Sequence, residues 1–262
     1  MTALPRGLRS QSGPASLPLT KGPYEMSETL IHQKPAVDSF KRYVLDENFN
    51  QRPGLNASVG ITFNVDFEIL GTNVAEADVI WGTTVGGVEL KTHGADNDQV
   101  IVLPHLDTLQ SGWTGVLWGT ENQVLWEAVI KTSDVTTGIL IWAGLKLTSD
   151  PTVATDDDQA YFRFSTDDSD TNWEIVNSIG GTDTTSDSGV AVSASTNYYF
   201  RIEIDAERKA HYFINNKEVY ISAAMTNDVD LIPYVGVQCL DATPSSQYLY
   251  LVKQKISRII YE

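Results

Sequence analysis

Four groupings of side chains in this sequence have the residue types that binding or reaction chemistry uses. The densest is acidic: Asp156-Asp157-Asp158, with Asp167, Asp168 and Asp170 close behind. Clustered carboxylates supply the hard oxygen ligands that Ca2+ requires. A helix–loop–helix calcium loop also needs Gly at its sixth position and Glu at its twelfth, and neither falls in place after Asp156. The run therefore reads as a solvated acidic turn. The second grouping is Glu203-Ile204-Asp205. Two carboxylates flanking a glycosidic bond act as acid and base, and alternate residues of a strand share a face. Ile202 and Ile204 flank Glu203, which places the isoleucines inward and Glu203 outward, while Asp205 opens a turn with Ala206 and Glu207. Further carboxylates and exposed aromatics are missing around it. The third set is histidine: His32, His93, His105 and His211. None lies in a nucleophile-elbow context, and no pair has metal-ligand spacing. No catalytic residue, metal ligand or cofactor is assigned. The fourth set comprises Trp81, Trp113, Trp118, Trp126, Trp142 and Trp173. An exposed indole can stack on a sugar ring, but most of these fall on alternating strands, where burial is expected. Trp113, after Gln110-Ser111-Gly112, is the best candidate for an exposed sugar-binding tryptophan.

The elements that would position these residues are strands. From Ser58 to Leu70 the apolar positions Val59, Ile61, Phe63, Val65, Phe67 and Ile69 recur with period two. Similar runs follow at Ala77–Trp81, Gly87–Lys91, Gln99–Leu103, Gly115–Trp118, Gln123–Lys131, Gly138–Lys146, Gln159–Phe164, Trp173–Asn177, Asn197–Asp205, Lys209–Tyr220, Leu231–Leu240 and Gln247–Tyr261. Turn-forming clusters separate them, among them Gly94-Ala95-Asp96-Asn97-Asp98, Gly180-Gly181 and Asn215-Asn216. Many short strands without intervening helical periodicity indicate an all-β, two-sheet antiparallel β-sandwich spanning residues 51–262.

Residues 1–50 differ in kind. Pro5, Pro14, Pro18, Pro23 and Pro35 alternate with Gly7, Gly13 and Gly22, which predicts an extended N-terminal arm. A short helix is expected over 36–47, where Val37, Phe40, Tyr43 and Val44 have i, i+3, i+4 spacing. Leu4, Leu8, Leu17, Leu19, Tyr24 and Leu30 are too scattered for a core, but can dock singly into grooves of a partner. About 45 residues of such an arm span up to roughly 150 Å when fully extended, at about 3.3 Å per residue.

The net charge of -16 disfavours nucleic acid and anionic lipid as partners. No apolar run approaches the roughly 20 residues of a membrane span. The charge is divided unevenly. Through Arg52 there are 7 basic and 5 acidic residues; beyond it, 11 and 29. A slightly basic arm on an acidic body is suited to a neighbouring copy or another acidic partner. The lone Cys239, within Tyr234-Val235-Gly236-Val237-Gln238-Cys239-Leu240, excludes an internal disulfide and reads as a small buried hydrophobe.

Three segments carry a resemblance. Gly86-Gly87-Val88-Glu89-Leu90-Lys91-Thr92-His93-Gly94-Ala95-Asp96-Asn97-Asp98-Gln99, Asn197–Asp205 and Ala210–Lys217 resemble tailed-bacteriophage structural proteins with a concanavalin A/laminin-G-like jelly roll. Asn216 stands where laminin-G-like hairpins carry Gly. The resemblance covers roughly residues 55–262. It implies a capsid decoration (cement) protein on the virion surface, bound to the major capsid protein, self-associating as a dimer or trimer, and without catalysis. It supplies no active-site residues. The other readings are a carbohydrate-binding or host-recognition module and, less favoured, a glycoside hydrolase.

Overall fold

The computed structural model describes residues 41–50, 52–55, 66–104, 112–147, 156–241 and 247–260. Two eight-stranded sheets face each other. The first contains β1 (Arg42–Glu47), β4 (Val79–Trp81), β5 (Val88–Lys91), β7 (Leu125–Thr132), β12 (Asn197–Ile204), β13 (Lys209–Ile214), β14 (Lys217–Ala224) and β16 (Tyr248–Ile259). Their order is β14-β13-β12-β7-β16-β5-β4, and β1 pairs with the C-terminal part of β16. The second contains β2 (Gly54–Leu55), β3 (Phe67–Leu70), β6 (Gln99–Pro104), β8 (Ile139–Lys146), β9 (Gln159–Ser165), β10 (Asn172–Ile179), β11 (Thr182–Ala191) and β15 (Ile232–Cys239), in the order β11-β10-β9-β8-β15-β6-β3-β2. Pairing is antiparallel except for the two-residue contact between β2 and β3.

The two sheets differ in how their sequences alternate. In the first, β7, β12 and β13 alternate strictly between buried and half-exposed residues, the signature of a sheet with one face to solvent. In the second, β6, β8 and β15 are almost continuously buried, as expected of strands covered on both faces. Between the sheets, Phe162 of β9 stacks on Phe200 of β12 with centroids 4.3 Å apart. Trp173 meets Phe200 edge-on at 4.8 Å, and Tyr212 meets Phe162 at 5.6 Å. The all-β sandwich expected from periodicity is thus present.

Three local expectations are corrected. Residues 42–47 are strand, not the C-terminal half of a helix over 36–47, and they place the start of the sandwich before residue 51. A helix this short is marginal by itself, whereas β16 offers six paired positions. Gly112–Gly115 forms a single helical turn that runs into the segment expected as a strand at Gly115–Trp118. The strand β11 carried no signal because it is a polar edge strand, Thr-Asp-Thr-Thr-Ser-Asp-Ser, with no apolar face to alternate. The Tyr212–Tyr220 hairpin is as expected: Asn215 and Asn216 have φ of 52° and 66°, which a two-residue turn between twisted strands requires. The Ser58–Val65 part of the longest alternating run, and residues 36–40, lie outside the described residues.

Gly236 marks a point of tight packing in the second sheet. A Cβ there would lie 2.4 Å from Cζ2 of the buried Trp142. Gly236→Ala is expected to lower stability by about 1–3 kcal/mol through overpacking. The check is a reduced urea midpoint at unchanged denaturant dependence; an unchanged midpoint would show that Trp142 is free to move.

Candidate functional site

Two surfaces could act on another molecule: the outer face of each sheet. On the second sheet, Ile101, Leu103, Trp142, Tyr161, Val176 and Tyr234 form an apolar cluster separate from the inter-sheet core. They alternate with inward residues on their strands, so the cluster lies on the outer face. Tyr161 lies edge-on to Tyr234 at 6.2 Å, and Trp142 is tilted against Tyr234 at the same distance. Lys146 places its ammonium over both tyrosine rings, at 5.2 and 5.7 Å, and 3.7 Å from Asp156. Aromatic rings beside a cation and a carboxylate are the materials of a sugar or small-ligand platform. Yet Trp142 and Tyr161 are 0% exposed and Tyr234 is 1% exposed. A ligand has no access to these rings without displacement of what buries them.

The outer face of the first sheet is polar and open. Strand register aligns Phe213, Arg201, Glu127, Lys255 and Asp46 in one row across β13, β12, β7, β16 and β1. The Arg201 guanidinium lies over the Phe213 ring at 3.7 Å. Lys255 donates to Glu127 at 2.8 Å, the Tyr199 hydroxyl donates to the other oxygen of Glu127, and Lys253 pairs with Asp46 at 2.8 Å. A bulge in β16 between Leu251 and Lys253 swings the lysines over this region. Glu127, Val129, Tyr199, Lys253 and Lys255 line a shallow depression of about 240 Å³. Burial, with the bonded Glu127 carboxylate, pushes the Tyr199 phenol well above its ordinary value, so it remains a donor.

Beside that row, His211 is clasped by two carboxylates. Its Nδ1 lies 2.6 Å from Glu218 and its Nε2 3.1 Å from Asp205. Burial lowers the imidazole pKa, but the bonds to Glu218 and Asp205 outweigh it and leave it above the ordinary 6.5. Burial raises the Asp205 pKa, but N–H groups of Lys209 and Glu207 together with His211 bring it below 3.8. Asp205 is thus a turn-capping anion held on a histidine. Glu203 points outward as expected, but its neighbour Asp205 is committed to the turn. The clasp was invisible in sequence because Asp205 reaches His211 through the β12–β13 turn and Glu218 reaches it through the β13–β14 hairpin.

The other candidate residues resolve as follows. Trp113, expected to be exposed, is 4% exposed and packs on Phe67 with centroids 4.8 Å apart. It is therefore a core residue and not a sugar platform; the glycine before it sits against Tyr43 and Leu45 of β1, which closes that side. The acidic turn is structural. Asp156 accepts from the Leu147 N–H and pairs with Lys146, and Asp158 accepts from the Thr226 N–H. Asp168 and Asp170 both face Arg163, at 3.2 and 3.9 Å. Among the described residues no group of three or more His, Cys, Asp or Glu could hold a metal ion. Asp98 caps its own loop by accepting from the Ala95 N–H at 2.8 Å and from Asn73 at 2.7 Å. His93 pairs with Asp78 at 2.6 Å. Cys239 is buried. Leu4, Leu8, Leu17, Leu19, Tyr24 and Leu30 lie outside the described residues.

Solved structures of the same fold include a β-glucanase of Bacillus licheniformis, with TM-score 0.54 and 11% identity over 81% of this chain and 97% of that one. A second is an immunostimulatory antigen and pseudo-β-1,3-glucanase of Mycobacterium tuberculosis, with TM-score 0.55 and 11% identity over 82% and 98%. A third is a protein of unknown function from Shewanella oneidensis MR-1, with TM-score 0.54 and 13% identity over 83% and 87%. No family model and no curated protein sequence matches this chain. The body is therefore a concanavalin A-like jelly-roll sandwich of the kind found in glucanases and lyases. At these identities the likeness is one of fold.

The His211 clasp sets a pH dependence. A raised histidine pKa contributes stability below 6.5 that is lost as pH climbs through the raised value. A lowered aspartate pKa contributes stability above 3.8 that is lost as pH falls through the lowered value. The clasp is thus at full strength between 3.8 and 6.5. His211→Gln is expected to remove up to about 1 kcal/mol in that window, the scale of a partly exposed ion pair, and less at pH 8. Urea denaturation at pH 5.5 and 8 measures this; an equal loss at both would refute a charged clasp.

Proposed function

We propose that this protein is a non-catalytic structural component of a bacteriophage particle, a decoration (cement) protein of the capsid surface. The observation that carries the reading is the closed outer face of the second sheet. Trp142, Tyr161 and Tyr234, the outer-face aromatic cluster among the described residues, are buried. On the open face Glu127, Asp46 and Asp205 are meanwhile engaged in Lys255–Glu127, Lys253–Asp46 and His211–Asp205 contacts. A body built this way serves as a rigid block more readily than as a reaction vessel. The charge contrast between residues 1–52 and the rest supports an arm that fastens the block to the major capsid protein or to neighbours, as does the resemblance of residues 86–99, 197–205 and 210–217 to phage structural proteins. Scattered apolar anchors along an extended arm gain strength when many copies bind one shell. Deleting residues 1–35 is expected to abolish attachment to empty capsids, measured by co-sedimentation, while leaving the thermal transition of the body unchanged. Full attachment of the truncated chain would overturn the arm mechanism.

A second reading, a carbohydrate-binding module, is favoured by the neighbours of this fold, which include a named β-glucanase and a pseudo-β-1,3-glucanase. Its site would be the depression at Tyr199, Lys253 and Lys255. That reading predicts binding on a glycan array that is lost with Tyr199→Ala and unaffected by Ile221→Ala on the edge strand β14. A blank array removes it.

A further inference from the structure

β1 has one strand neighbour among the described residues, β16. The ladder between them determines where its backbone groups point. The Ile260 N–H donates to the Lys41 carbonyl at 2.8 Å. Lys41, Tyr43, Leu45 and Glu47 therefore direct their backbone polar groups at β16, and in an antiparallel ladder the alternate residues direct theirs the other way. Arg42, Val44 and Asp46 thus present N–H and C=O groups at the open edge of the first sheet. The same three residues carry the outward side chains, in the order cation, β-branched apolar, anion. Val44 is 46% exposed.

Unpaired edge groups are a template for another strand, and proteins blunt them with short length, bulges, lysine or proline. The other edges here are blunted. β4 and β2 have three and two residues. β14 carries two register irregularities against β13, and β11 one against β10. β1 holds six residues in unbroken register with β16 and contains neither lysine nor proline.

We infer that β1 is a self-association edge whose occupant is β1 of a second copy, running antiparallel about a two-fold axis at Val44. In that register Arg42 faces Asp46 of the partner subunit, Val44 faces Val44 of the partner subunit, and Asp46 faces Arg42 of the partner subunit. Opposite charges and a pair of β-branched side chains lie directly across from each other, both favourable cross-strand pairs. The three facing residues are also the three with outward backbone groups, so the hydrogen bonds close in this register; a one-residue slip would oppose groups that point away. Arg42 already donates to Ser257 Oγ and the Gln123 carbonyl, and Asp46 pairs with Lys253. The guanidinium's five N–H groups and the carboxylate's two oxygens leave capacity for the new pairs. The contact is isologous, as a two-fold dimer requires, and joins two eight-stranded sheets into one. A strand pair of this length buries less than the roughly 1,200 Å² at which stable interfaces begin, so the dimer is concentration-dependent. The inference stands independently of the capsid reading.

Sedimentation velocity of the full-length chain over a concentration series tests it. The wild type is expected to shift from monomer to dimer as concentration rises. Asp46→Arg sets cation against cation and is expected to weaken dimerisation by at least about tenfold, the equivalent of ~1.4 kcal/mol. The double variant Arg42→Asp/Asp46→Arg restores the complement and is expected to recover dimerisation. Val44→Pro removes an N–H that β16 does not use, and is expected to give a folded monomer by circular dichroism. Val44→Cys is expected to yield a disulfide-linked dimer on oxidation, because paired strand positions lie within disulfide reach. Ile221→Cys on the opposite edge is expected to yield none, and the buried Cys239 contributes none. A wild type that stays monomeric at every concentration would overturn the inference. So would a dimer that persists unchanged in both Val44→Pro and Asp46→Arg.

Discussion

The contact on which the rest of this molecule depends is the aromatic stack between the sheets. Phe162 lies on Phe200 with an interplanar angle of 11°, and Trp173, Tyr198 and Tyr212 close around them edge-on or stacked. These rings come from β9 and β10 on one side and β12 and β13 on the other. With one cysteine and no disulfide to join the layers, burial of large aromatic side chains is the principal force available. The stack also fixes which side of each strand is outward, and with it the contents of both outer faces.

Those two faces have opposite characters for the same reason. Once Phe162, Phe164 and Ala160 point inward, Gln159, Tyr161 and Arg163 must point outward from β9, because successive residues of a strand alternate. In the second sheet the outward set includes the apolar and aromatic cluster of Ile101, Leu103, Trp142, Tyr161, Val176 and Tyr234, which is itself buried. In the first sheet it is largely charged, adjacent strands bring opposite charges into register, as in Lys255–Glu127, and the turn after β12 brings Asp205 to His211. The acidic surplus of the chain therefore does not produce a uniformly acidic surface. The open face of the first sheet is a near-balanced mosaic, while acidic residues such as Asp168, Asp183 and Asp187 gather on the hairpins and edge of the second.

Much of this was legible in sequence, for definable reasons. The alternation of β7, β12 and β13 and the continuous apolar runs of β6, β8 and β15 reflect one-sided and two-sided burial. The Asn215-Asn216 turn and the Asp98-capped loop follow from local backbone chemistry. Trp113 was not legible. Its flanks are turn-like, and its burial depends on Phe67, far away in the chain. The strand character of residues 42–47 was equally hidden, since the same six residues fit helical and strand spacing and only β16 decides between them.

The sequence by itself determined an all-β sandwich, its principal turns, the polar ends of the strands and the division of charge between residues 1–52 and the acidic remainder. Those properties are local, set by period, turn residues and composition. The tertiary structure alone decided which residues meet: that His211 is held between Asp205 and Glu218, that Trp142, Tyr161 and Tyr234 are sealed, and that Arg42, Val44 and Asp46 line an open edge. Such pairings depend on strand order and register between residues more than 200 positions apart, as in Arg42 and Ser257, which are separated by 215. Periodicity along the chain carries no information about which strand becomes a neighbour.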